Sequence, residues 1–209
     1  MTQNFDHDQK VFGWNSTRAT DCHSYALPKI YKLLPEGCKN VFDAGCGNGY
    51  ISSKLLEKGL IVTGIDLSSD GILLAREKYP KARFEIRSVY DDLSDLAKNV
   101  DLVISSEVIE HLYYPQHFLI NMFSIIRPGG WIIITTPYHG WLKNSLISIL
   151  GQWDKHHNVA WEGGHIKFFS EKALKKLLRE VGFDNIIYNN AGRIPLLWKS
   201  IVCRAQKSS

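Results

Sequence analysis

The stretch V-F-D-A-G-C-G-N-G-Y at residues 41–50 holds the residues whose types and spacing most clearly bear chemistry. Gly45, Gly47 and Gly49 stand on alternate positions, and residues without Cβ let the chain take φ > 0 and let a ligand lie directly against the backbone. The apolar Val41 and Phe42 before them read as a strand, and Ile51, Leu55 and Leu56 after them repeat at helical spacing. A strand, a tight turn and a helix in that order place a ligand at a helix N-terminus. Turns that bind a dinucleotide prefer G-x-G-x-x-G, with the pyrophosphate on the helix. Here the glycines run G-x-G-x-G behind Asp43. An acid at that place opposes a pyrophosphate and suits an amine-bearing ligand.

The elements that must position this turn follow from hydrophobic patterning. Short, mostly continuous apolar runs at 41–44, 61–65, 83–86, 102–105 and 131–135 read as strands buried on both faces of a parallel sheet. Helical spacing at 51–58, 69–78, 93–98 and 115–126 alternates with them, a βαβ series. Residues 171–181 form a further helix, with Ser170 as N-cap and Gly182 as stop. Strand-like runs at 185–190 and 197–204 follow, joined by a loop with Gly192 and Pro195. That loop is too short for a helical crossover, so these two strands are expected to be antiparallel neighbours. One domain over 1–209 results: a helical cover at 1–39, helical from about residue 16 to 34; a ligand-binding core at 40–137; an insertion rich in Trp, His and Gly at 138–168; and a helix with a β-hairpin at 169–209. An irregular insertion at the carboxyl end of a parallel strand is where a lid belongs.

Composition narrows the function classes. The 209 residues are 44% hydrophobic and 22% charged, as in an ordinary globular protein. Lys and Arg number 25 against 21 Asp and Glu. That slight excess is spread without a basic run, which argues against a nucleic-acid partner. Cys22, Cys38, Cys46 and Cys203 show no paired spacing, so a disulfide framework or zinc knuckle is not expected and a reducing cytoplasm is. Residues 1–10 are polar and acidic, unlike a signal peptide. No apolar run approaches the roughly 20 residues of a membrane span, so a soluble protein is expected.

The motif D-A-G-C-G-N-G at 43–49 resembles the nucleotide-binding signature of class I S-adenosylmethionine-dependent methyltransferases. Further matches follow in order: I-D-L at 65–67, the acidic stretch at 90–93, S-E-V-I-E-H at 106–111 and I-R-P-G-G-W at 126–131. The resemblance covers about residues 41–137. It implies an α/β, Rossmann-like doubly wound seven-stranded sheet, mostly parallel with a C-terminal antiparallel hairpin, and S-adenosylmethionine as cofactor with S-adenosylhomocysteine as product. Position by position, it implies that Asp43, Gly45 and Gly47 hold the methionine moiety and that Gly49 permits tight helix packing. Asp66 accepts both ribose hydroxyls, or else caps a helix, and Leu67 packs on the adenine. Val89 departs from the family, where an Asp is common, so the backbone of Val89 and Tyr90 reads the adenine edge. Asp91 either reaches N6 or sits at a solvated helix N-terminus. Ser106 and Glu107 lie beside the sulfonium. Cys46 lies there too, as a small apolar filler rather than a nucleophile.

Methyl transfer from a sulfonium needs chiefly an in-line approach. A neutral hydroxyl acceptor also needs a base or a metal. His139 and His165, near the mouth of the implied site, are the candidate catalytic residues, with a structural, backbone-bonded histidine as the competing reading. That competing reading is favoured for His111. The wider sequence is also similar to the ubiquinone-biosynthesis O-methyltransferases, where E-x-x-E-H can hold magnesium near a catechol-type acceptor. Glu107, Glu110 and His111 match that pattern, although similar segments occur without metal. His156 and His157, beside Asp154, read as a solvated surface cluster. In the insertion, Trp141, Leu142, Leu146, Ile147, Ile149, Leu150 and Trp153 make a short apolar helix. It either covers a small or lipid-like acceptor, makes peripheral membrane contact, or packs on the core. Arg193 and Lys199 either meet an anionic acceptor or end the last hairpin in solvent.

O-methylation of a small or lipid-like acceptor is the leading expectation. The alternatives are a protein or nucleic-acid methyltransferase and a non-catalytic S-adenosylmethionine-binding subunit. The fourth strand ends in S-S-E-V without a following Pro-Pro-aromatic, and no cysteine follows a proline. Both facts argue against DNA amino-methylation and cytosine C5 chemistry.

Overall fold

The computed structural model describes residues 13–157 and 164–208, so the reading of residues 1–10, and of 158–163 within the insertion, lies outside the described residues. A seven-stranded sheet runs through the centre: β1 (Asn40–Ala44), β2 (Ile61–Asp66), β3 (Arg83–Ile86), β4 (Val100–Ser106), β5 (Ile126–Pro137), β6 (Phe183–Tyr188) and β7 (Ser200–Lys207). Their spatial order is β3-β2-β1-β4-β5-β7-β6. The first five pair in parallel, and β7 slots in antiparallel between β5 and β6.

Alternating residues of β1 explain why it is apolar on both faces, at Val41, Phe42 and Ala44, with Asp43 the buried exception. Phe42 and Ala44 enter one core cluster with Phe118, Leu119, Leu174 and Leu178, while Val41 enters another with Ile30, Leu33 and Leu55. Successive side chains on a strand point to opposite faces, so a strand covered on both sides carries apolar residues on both. The first cluster is closed by α4 (Pro115–Ile125) and α7 (Glu171–Val181); the second by α1 (Asp21–Leu33) and α2 (Tyr50–Leu56). A further helix, α3 (Ser69–Lys78), has the expected bounds. So does α7, where the Ser170 hydroxyl accepts the Ala173 N–H at 3.2 Å and Gly182 ends the helix at φ 110°.

Two local expectations fail. Residues 93–98 form turns instead of a helix. Leu93 and Ala97 are buried, but the run is too short to offset helix nucleation, and Asp92 closes a turn by accepting the Ser94 N–H at 2.9 Å. The last strand starts at Ser200 rather than 197, because Arg193 (φ 52°) and Leu196 (φ 67°) hold the preceding loop in left-handed backbone.

The chain works outward from β1 to β3 and then crosses to β4. The carboxyl ends of β1 and β4 therefore form the point at which strand order reverses, the place where open α/β sheets bind ligands. The insertion lies beside it as α5 (Trp141–Ile149) and α6 (Trp153–His157).

Candidate active site

The glycine turn leaves β1 directly. Gly45, Gly47 and Gly49 adopt φ of 82°, 53° and 75°, a region costly for other residues. A Cβ on Gly45 would stand 2.4 Å from Val108 Cγ2, so the turn and the segment after β4 approach as closely as glycine permits. At Gly49 a Cβ would lie 2.9 Å from that of Ala75, which packs α2 against α3. Asp66 ends β2; its carboxylate accepts the Gly47 N–H and the Ser68 N–H, both at 2.8 Å. It thereby braces the turn while each oxygen retains capacity to accept another bond. Burial raises its pKa, and those two N–H groups oppose the rise.

Asp43 lies beneath the turn, 1% exposed, accepting the Ser52 hydroxyl at 2.5 Å. Burial pushes its carboxyl up to about 7, against the pull of Ser52. Cys46 is buried, its N–H donates to the Ile65 carbonyl at 2.8 Å, and burial drives its thiol pKa well up, as suits a filler. Leu67 is half-buried beside Asp66. On the neighbouring loop Val89 is buried, and Asn121 Nδ2 donates to the carbonyls of Val89 (2.8 Å) and Asp91 (2.6 Å). The Asp91 carboxylate accepts the Ser88 N–H at 3.0 Å, closing its own turn, and the Tyr90 hydroxyl accepts the Tyr114 N–H at 3.1 Å. Across the glycine turn runs the segment before α1. Asn48 Nδ2 donates to the carbonyls of Ser16 and Arg18, and a Cβ on Gly47 would meet the Trp14 ring at 2.4 Å. The type and spacing of Trp14 and Asn48 carried no signal of this role.

The other half of the site hangs from Thr135, which lies opposite Ser106 in the β4–β5 register. Its Oγ1 lies 2.9 Å from Ser106 Oγ, accepts the Glu107 N–H at 3.1 Å and donates to Glu107 Oε1 at 2.8 Å. Glu107 itself takes φ 56°, a strained conformation of the kind that gathers at functional sites. Burial lifts its carboxyl to about 7, with Thr135, Ser200 and Lys143 opposing.

Next comes a short 3-10 helix, Ile109–His111, that carries Glu110 into the interior with no exposed area. Thr136 Oγ1 donates to Glu110 Oε2 at 3.0 Å, whereas Oε1 has no hydrogen-bond partner among the described residues. That oxygen lies 3.9 Å from His111 Nε2 and 4.0 Å from His165 Nε2. The ligating atoms of Glu110, His111 and His165 all fall within 4.8 Å of one another. Glu107 is not in this group, because its backbone conformation and its bond to Thr135 hold its carboxylate elsewhere. The structure thus keeps two members of the E-x-x-E-H set together and supplies His165 as the third.

His139 follows β5 and is 7% exposed, its ring stacked on His157 at 5.4 Å and edge-on to Phe168 at 4.9 Å. His139, His165 and Glu107 line one cavity of about 270 Å³. Burial lowers the pKa of His139 to about 3 and of His165 to about 4, so both rings are neutral at neutral pH. His156 is exposed and His157 half-buried, as expected of a solvated pair, and both also line the same cavity. The reason is that α6 brings them back against His139, with ring centroids 6.4 Å and 5.4 Å away. Lys143 lines it too, a buried cation that the apolar spacing of α5 concealed.

Solved structures share this arrangement of elements. A SAM-dependent methyltransferase from Archaeoglobus fulgidus aligns at TM-score 0.67 and 20% identity, over 87% of this chain and 93% of its own. Phosphoethanolamine N-methyltransferase 2 from Haemonchus contortus aligns at TM-score 0.64 and 16% identity, over 88% of this chain and 52% of its own. The fold is that of the class I S-adenosylmethionine-dependent methyltransferases. The chain belongs to the methyltransferase-domain family, whose sequence profile matches residues 16–187.

Relatives agree with that placement. The ubiquinone biosynthesis O-methyltransferase of Hydrogenovibrio crunogenus is 29% identical over 150 residues, 69% of this chain and 61% of its own. That of Coxiella burnetii is 34% identical over 116 residues, 54% and 49% respectively. That of Vibrio parahaemolyticus is 27% identical over 177 residues, 79% and 73%. The chain spans 61% and 49% of the length of the first two.

Proposed function

We propose that this chain carries a methyl group from S-adenosylmethionine to an oxygen of a small or lipid-like acceptor, releasing S-adenosylhomocysteine. The observation that carries the reading is the position of Glu107: it follows β4 beside the glycine turn, and it lines the cavity that holds His139 and His165. A donor on the turn and an acceptor in the cavity meet there. The sulfonium is already activated, so alignment is the main requirement, and a neutral imidazole of His139 or His165 takes the hydroxyl proton. The relatives' shared name, ubiquinone biosynthesis O-methyltransferase, supports oxygen as the acceptor atom.

A lipid-like acceptor or peripheral membrane contact is supported by α5 and the turn after it, where Trp141, Ile149 and Leu150 are 74%, 80% and 66% exposed. No helix among the described residues is long and apolar enough to cross a membrane. Four free cysteines accord with a cytoplasmic setting, and the small net charge with an acceptor other than nucleic acid.

A second reading is a divalent cation at Glu110, His111 and His165. The buried, unpartnered Glu110 Oε1 facing two imidazoles fits such an ion. One carboxylate with two imidazoles suits manganese, iron or zinc better than the magnesium expected from E-x-x-E-H. When bound, the ion would polarise an acceptor hydroxyl. One assay tests both readings: the chain is incubated with S-adenosylmethionine and a panel of phenols and catechols, and S-adenosylhomocysteine is measured. Turnover is expected with at least one acceptor, and His139→Ala or His165→Ala should lower kcat by about 10²-fold. Wild-type rates in both variants would remove the histidine roles, and full activity in EDTA would remove the cation.

A further inference from the structure

The cavity is charged in a way that methyl transfer does not require. Lys143 reaches it from α5, Arg193 from the loop between β6 and β7, and Lys199 from the approach to β7. Lys143 is 5% exposed; its Nζ donates to the Tyr138 carbonyl at 2.8 Å and has no carboxylate within 4 Å among the described residues. An ammonium carries three donors, so two remain for the cavity. Arg193 and Lys199 likewise form no ion pair among the described residues, and Lys199 Nζ rests over the Tyr25 ring at 4.9 Å.

Glu107 is the one carboxylate among the described lining residues, and it is committed to Thr135. The histidines offset none of this positive charge. Burial and the charge of Arg193 push Lys143 down to about 8, and Glu107 opposes that fall without reversing it. The first turn of α5 has no acidic residue and its N-cap no side-chain bond, so the helix dipole adds to the same field. Arg193 is held in this loop at φ 52° despite the cost of left-handed backbone.

Lys143 is buried while Arg193 and Lys199 stand exposed at the cavity's edge, and like charges converging on one cavity are stabilised by an anion between them. We infer that the acceptor carries an anionic group, a carboxylate or a phosphate, seated on Lys143 and Arg193, with its methyl-accepting atom toward Glu107, His139 and His165. This inference rests on the methyl-transfer reading of the cavity and names the class of acceptor it takes.

Calorimetry on the full chain, with and without S-adenosylhomocysteine, tests it by titrating benzoate, phenyl phosphate and the neutral benzamide. The two anions separate carboxylate from phosphate recognition. At least one of them is expected to bind, with benzamide weaker by about tenfold or more. Lys143→Met and Arg193→Gln should each weaken that anion by about tenfold and leave benzamide and S-adenosylhomocysteine unaffected. Lys143→Met replaces a buried cation with an apolar chain of similar length, and Arg193→Gln alters an exposed loop, so a folding failure in one leaves the other as the test. Equal binding of anion and neutral probe, no anion binding, or anion binding unchanged in both variants overturns the subsite. Anion discrimination in a chain that fails to bind S-adenosylhomocysteine supports the subsite and overturns the methyl-transfer reading instead.

Discussion

Asp43 and Glu110 are carboxyls removed almost wholly from water, at 1% and 0% exposure, and their partners differ. Ser52 bonds Asp43, whereas Glu110 keeps one oxygen without a hydrogen-bond partner among the described residues, before two imidazoles. For Asp43 the folded pKa of about 7 stands above the ordinary carboxylate value of 3.8. Within that window the folded state holds a proton that the unfolded chain has released, so the contribution of Asp43 to stability falls as pH rises through it. Melting curves of the unliganded wild type and Asp43→Asn should show it: from about pH 5 to about pH 8 the wild type loses stability relative to the variant. Parallel curves would contradict the assigned burial. The places of Asp43, Asp66 and the glycines at strand ends and in the turn were legible because they depend on neighbours in sequence. Lys143, His156 and His157 were not, because only the return of α6 and the packing of α5 bring them to the cavity.

Elements were legible where their ends carry local chemistry. Ser170 and Gly182 bound α7, and the Ser68 hydroxyl, which accepts the Gly71 N–H at 3.1 Å, opens α3. Residues 93–98 and 197–199 were misjudged where tertiary packing and left-handed loop backbone overrode the apolar pattern. The insertion is the element on which the proposed acceptor binding depends: α5 supplies Lys143 and α6 supplies His156 and His157 to the cavity, while the glycine turn, Asp66 and Glu107 lie on other elements. Deleting residues 142–151 should therefore abolish transfer and leave S-adenosylhomocysteine affinity intact, measured by calorimetry alongside circular dichroism. Lost cofactor affinity in a folded product would show that the insertion belongs to the donor site.

At the scale of the molecule, the strand order places the glycine turn of β1 against the end of β4, and the crossover to β5 hangs the cavity proposed for the acceptor on the same edge. The proposed donor side could be read from sequence because it is built from short motifs, each close to one strand end. The cavity proposed for the acceptor is assembled from segments far apart in the chain, which is why its charge and its histidines emerged only in three dimensions. The central claim is that the turn at 43–49 binds S-adenosylmethionine rather than a dinucleotide. Calorimetric titration of the full chain with S-adenosylhomocysteine and, separately, with NAD tests this most directly. Micromolar binding of S-adenosylhomocysteine with no heat from NAD is expected; NAD binding without S-adenosylhomocysteine binding would contradict it.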